Sequence, residues 1–263
     1  MTELSKNELL SFKSNFLNKE MGINVYLPPN YDCSKKYPTL YFLHGRTGNE
    51  NIYKEIEMNK IADRLIGQGR TKPLIIVFPR IDNSHGMNSL ESYMEMPDSS
   101  DDRRKVHLGR YEDYLINEVI PLIDSKYSTI NDRCGRYIGG ISAGGYAALH
   151  NAFRHAKLFS KVGGHMPALE EELDEDDAIY YSDQNIWNKY NPIFIAKNYN
   201  LPNIEVYLDC GDMDEGKFYI GCGILADVLK TKGISVENHV FQGRHNSEYI
   251  KAHVEKYLLF YMS

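Results

Sequence analysis

Short apolar runs alternate with stretches of helical period along most of this chain. Ile23, Val25 and Leu27 occupy every second position before Pro28 and Pro29, the pattern of a half-buried strand halted by proline. Thr39–Leu43 and residues 74–78 are short and apolar, the second flanked by Pro73 and Pro79. Residues 137–141, 205–208 and, less cleanly, Val236–Phe241 follow the same style, which suits strands buried on both faces of a parallel sheet. Between them, Tyr111, Leu115, Val119 and Leu122 fall at helical spacing, with Pro121 expected to kink or tighten the last turns. Ile250, Val254, Tyr257 and Tyr261 form the apolar stripe of a final helix. This alternation predicts one α/β domain over residues 1–263. Its sheet should be mostly parallel with helices on both faces, and the N-terminal strands should extend one edge in antiparallel fashion.

One region breaks the pattern. Residues 170–177 carry seven acids in eight positions, and the expected reading is a solvated surface insertion or acidic cap within about residues 166–190. A calcium loop would need a turn glycine and regularly placed oxygen ligands, which this run lacks.

Composition narrows the function classes. A net charge of -6 with no basic face argues against a nucleic-acid partner, and no apolar run is long enough to span a membrane. The N-terminus lacks the apolar core of a secretory signal, and the four cysteines form no C-x-x-C pair. The expectation is a cytoplasmic protein, with homo-oligomerisation left open.

The chemistry concentrates at three places. Gly140-Ile141-Ser142-Ala143-Gly144 matches G-x-S-x-G, between a predicted strand and an alanine-rich helix. A serine on so sharp a turn brings the flanking glycines nearly into contact, and a side chain at 140 or 144 would collide. The helix that follows aims free N–H groups at the serine, suited to a developing oxyanion. His44, Gly45 and Arg46 open a glycine-bearing loop directly after the strand Thr39–Leu43. Its expected contribution is the Arg46 N–H, paired with that of Ala143 as oxyanion donors. His44 reads as a residue fixing this loop, and the Arg46 side chain as facing either solvent or an anionic substrate group. Late in the chain, Asp209, Asp212 and Asp214 share one loop, and His245 lies between the last strand and last helix. The order Ser, Asp, His is met by this loop and His245 as the base; Asp214, just past the turn where its carboxylate can reach back, ranks first as the acid, with Asp212 as its rival. His165, after a further plausible strand, joins His44, Gly45 and Arg46 as a candidate for lining a substrate pocket.

Gly221-Cys222-Gly223-Ile224-Leu225-Ala226 mimics a dinucleotide fingerprint but falls inside a helix, and no P-loop or H-E-x-x-H is present. No cofactor and no metal is expected.

With these residues in place, the chain resembles the esterase D-like branch of the α/β-hydrolases, which includes S-formylglutathione hydrolases and acetyl and feruloyl esterases. Residues 24–31, 38–45, 142–146, 210–214 and 243–245 carry the resemblance. S-formylglutathione hydrolases usually carry a cysteine-containing segment after the oxyanion loop and a histidine after the nucleophile glycines. Here those positions read Gly48-Asn49-Glu50 and Tyr146. The resemblance implies a serine esterase cleaving a small-molecule short-chain acyl, sugar or aromatic ester through an acyl-enzyme. The same triad would also serve an acyltransferase or a thioesterase, and a scaffold without catalysis is the alternative from another class.

Overall fold

The computed structural model describes residues 4–98, 104–173, 175–201 and 203–262. Strands β1 (Lys6–Ser14), β2 (Lys19–Leu27), β3 (Thr39–Leu43) and β4 (Ile75–Pro79) open the chain, and β5 (Met94–Pro97) and β6 (Lys105–Leu108) form a separate hairpin. β7 (Arg136–Ile141), β8 (Lys161–His165), β9 (Glu205–Gly211) and β10 (Val236–Phe241) follow. Eight of these make one sheet in the order β1-β2-β4-β3-β7-β8-β9-β10. From β4 to β10 every neighbouring pair is parallel, while β2 meets β4 and β1 meets β2 antiparallel. This is the open α/β sheet with an antiparallel N-terminal edge that the pattern predicts. β3, β4, β7 and β8 are buried at every position, which is why they read as unbroken apolar or glycine-rich runs.

Helices α1 (Ile52–Glu55), α2 (Met58–Gly67), α3 (Tyr111–Asp113), α4 (Ile120–Lys126), α5 (Ala143–Arg154), α6 (Gln184–Tyr190), α7 (Pro192–Asn198), α8 (Tyr219–Thr231) and α9 (Ser247–Met262) cover both faces. α2 packs on α9, and α5 and α8 pack on α7.

Two elements depart from the sequence reading. β1 lies ahead of the first alternating run, in a stretch where the pattern marks no strand: an edge strand needs only one buried face, and most of its side chains are exposed. Pro121 does not tighten its helix. The residues before it, Tyr114–Val119, widen into a π-helix, which leads into α4 with Pro121 in the first turn.

Besides the main core, Met87, Val106, Leu108, Tyr180, Tyr181, Trp187 and Tyr190 form a second buried cluster. It fastens the β5–β6 hairpin to the segment that follows the acidic run.

Candidate active site

The carboxyl ends of the parallel strands gather the chemistry, as open α/β sheets require. Ser142 ends β7 and begins α5 with φ 54° and ψ −121°, a left-handed conformation that costs a non-glycine residue about 1–3 kcal/mol. Three main-chain hydrogen bonds hold it there. Its N–H donates to the His165 carbonyl at 3.0 Å, and its own carbonyl accepts from Tyr146 at 2.9 Å and Ala168 at 3.2 Å. Glycine is required on both sides. A Cβ on Gly140 would strike the Gly144 carbonyl, and one on Gly144 would strike those of Leu43 and His44.

His245 stands over the serine. The Ser142 hydroxyl lies 2.9 Å from Nε2, and Nδ1 lies 2.7 Å from Asp214 Oδ2. The Asp214 carboxylate is wholly buried, and its other oxygen accepts the Gly216 N–H at 2.9 Å. Asp212, its rival in the sequence, is exposed and accepts the Gly243 N–H at 2.9 Å, tying the acid loop to the histidine loop. Asp209 is buried under the site, where it accepts from Tyr249 and Tyr257 of α9 at 2.9 and 2.8 Å and from His165 at 3.0 Å. Phe218 packs edge-on against the His245 ring.

Two of the residues read as lining a pocket lie elsewhere. His165 is completely buried: Nδ1 donates to Asp209, Nε2 accepts from Tyr261, and the ring stacks on Tyr257 at 3.6 Å. The parallel pairing of β8 with β9 drives this, since it sets His165 beside Asp209. His44 is also buried, with Nδ1 on the Gly45 carbonyl and Nε2 accepting the Ile81 N–H, so it fixes the loop. Burial holds the pKa of both rings below the usual histidine value.

Gly45 and Arg46 do line the cleft. Among the described residues neither the Arg46 N–H nor the Ala143 N–H finds a protein acceptor. The next two N–H groups of the loop are spent on Asn83 Oδ1 and the Gly45 carbonyl. The Arg46 guanidinium is only partly buried, and it is held by Asp177 at 2.5 Å instead of standing free for an anion. The acidic run is therefore not uniformly solvated. Glu171, Glu172 and Glu175 are exposed, Asp177 turns inward, and Asp174 lies outside the described residues.

Ser142 separates two cavities. The larger, about 450 Å³, has apolar walls from Ile52, Ile56, Met166 and Ile250 beside His245. The smaller, about 280 Å³, lies between Ala143, Phe218, Asp177, Glu170 and a histidine that no motif singles out, His85. Only its place just past the end of β4, a strand whose carboxyl end faces the crevice, could have flagged it.

The Esterase family model (Putative esterase) matches residues 14–260. The chain belongs to this esterase family. It is 28% identical over 200 residues to an endo-1,4-beta-xylanase/feruloyl esterase of Xylanibacter ruminicola, covering 72% of this chain and 26% of that protein. The chain thus spans about a quarter of that relative's length. It is 24% identical over 213 residues to the S-formylglutathione hydrolase of Bos taurus, covering 76% of this chain and 72% of that one. A solved ferulic acid esterase superposes with a TM-score of 0.82 at 23% identity, covering 98% of each chain. Esterases and serine hydrolases surround this chain in both sequence and fold. Among the described residues no cluster of side chains suits a metal ion, and no helix is long and apolar enough to cross a membrane.

Proposed function

We propose that the chain hydrolyses small carboxylic esters through Ser142, His245 and Asp214, with a short-chain acyl, sugar or aromatic ester as substrate. The observation that carries this reading is the unbroken hydrogen-bond chain from Ser142 through His245 to Asp214, at 2.9 and 2.7 Å, on a left-handed serine. His245 Nε2 takes the Ser142 proton as the oxygen attacks the ester carbonyl, and Asp214 holds the ring in the required tautomer and steadies the imidazolium. The Arg46 and Ala143 N–H groups receive the oxyanion. His245 then returns the proton to the departing alcohol, and water, deprotonated by the same ring, releases the acyl group. The relatives named for feruloyl ester and S-formylglutathione hydrolysis support ester or thioester chemistry at this serine. Four cysteines without a disulfide support a reducing, cytoplasmic setting.

The test is p-nitrophenyl acetate hydrolysis and fluorophosphonate labelling of the wild type beside Ser142→Ala. Turnover that falls by about 10⁵–10⁶ with loss of the label supports the reading. Equal activity in the two proteins removes it.

A further inference from the structure

His85 is built at a cost that packing alone does not require. Its backbone has φ 54°, a left-handed conformation rare outside glycine. Hydrogen bonds from α5 hold it there: His150 Nε2 donates to the His85 carbonyl at 3.0 Å and Asn151 to the Gly86 carbonyl at 3.1 Å. The residue is 3% exposed, and its ring stacks on Tyr180 at 4.3 Å. Among the described residues neither ring nitrogen has a hydrogen-bond partner. Leaving two such buried atoms without a partner is unfavourable. The ring instead lines the smaller cavity, with Nε2 3.7 Å from Asp177 Oδ1. That gap is too long for a hydrogen bond and too narrow to admit an atom between the two, but a hydroxyl oxygen to one side of it, on the cavity side, can lie about 2.8 Å from both. A hydroxyl suits the pair, since it accepts from an imidazole N–H while donating to a carboxylate.

The two halves of an ester are distinguishable by position. The leaving alcohol must collect its proton from His245, so it departs through the larger cavity, which His245 lines. The smaller cavity contains the Ala143 donor and is not lined by His245, so it receives the acyl half. Asp177 already pairs with Arg46, and Glu170 lines the same wall, so a carboxylate on the acyl group would meet repulsion there.

We propose that His85 and Asp177 are specificity-determining residues that select a neutral, hydroxyl-bearing acyl group in the smaller cavity. This rests on the serine-ester reading and names the acyl chemistry of that site. Burial, which lowers the His85 pKa, keeps the ring neutral for the task.

The experiment compares kcat/KM within two pairs of esters of different reach: methyl 4-hydroxycinnamate against methyl cinnamate, and p-nitrophenyl 3-hydroxybutyrate against p-nitrophenyl butyrate. The wild type should favour the hydroxylated member of at least one pair by about tenfold or more. His85→Asn, which suits the left-handed backbone, and Asp177→Asn should each bring that ratio toward one. A merely structural role would lower both members alike. Asp177→Asn also releases Arg46, so p-nitrophenyl hemisuccinate should gain about tenfold relative to the butyrate. Ratios near one in the wild type, with p-nitrophenyl acetate still turned over, overturn this inference alone. So does a preference that both variants retain. A wild type inert to every ester and to fluorophosphonate overturns the catalytic reading with it.

Discussion

Gly140 and Gly144 touch across the turn that carries Ser142, closely enough that a methyl group on either would enter a main-chain carbonyl. The obstructing atoms are backbone, so no side chain can swing aside. Gly144→Ala should therefore destabilise the protein by more than about 4 kcal/mol or abolish soluble expression. A urea titration that finds less than about 1 kcal/mol lost would mean that the turn yields more readily than its geometry implies.

The acid loop offers a direct comparison between two carboxylates. Asp214→Asn should lower kcat by about 10⁴, because the amide favours the wrong tautomer of His245. Asp212→Asn keeps an oxygen for the Gly243 N–H and should lose less than tenfold. Reversed magnitudes in a steady-state assay would transfer the role to Asp212.

Asp209 sits among three donors with no solvent to replace it. Asp209→Ala leaves Tyr249, Tyr257 and His165 unmatched in the core and should cost about 3–5 kcal/mol in chemical denaturation. A value below about 1 kcal/mol would show that the cluster relaxes around the gap.

Acid should weaken this fold early. Burial holds His44, His85, His107, His150 and His165 below the usual histidine pKa, His150 at about 3. Their folded values lie under the unfolded one, so the unfolded chain binds more protons as pH drops below about 6.5. Stability is therefore complete above that point and declines below it, before most carboxylates titrate. Glu112 acts lower down. Burial alone would raise its pKa, but the His155 hydrogen bond, His150 and Arg154 outweigh that and hold it at about 2. Its contribution persists above about pH 4.5 and disappears as pH falls toward 2. Urea midpoints at pH 7.5, 5.5 and 4 should fall in that order, and His150→Gln should flatten the first step. Equal midpoints at pH 7.5 and 5.5 would contradict it.

The sequence disclosed what local sterics and short periods impose. The serine turn is written in five consecutive residues because its constraint acts over five residues. The buried strands β3, β4 and β7 are similarly plain, since burial on both faces leaves few residue types to choose from. β1 was hidden by its exposed edge position, and the β5–β6 hairpin by strands of four residues each. His85 and Asp177 are 92 residues apart and become neighbours only through the second aromatic cluster, which no local pattern encodes. The same arrangement turned Asp177 from an apparently solvated charge into the partner of Arg46. His165 looked like a pocket residue because it ends a strand near the nucleophile, but its strand partner Asp209 claims it.

The nucleophile inherits its rigidity from far along the chain. The Ser142 N–H rests on the His165 carbonyl, the His165 ring on Asp209, and Asp209 on two tyrosines of α9. Each link is dry and leaves little slack, so the serine turn has no means of fraying independently of the C-terminal helix. Heat should thus silence this site when the whole domain melts, with little graded loss beforehand.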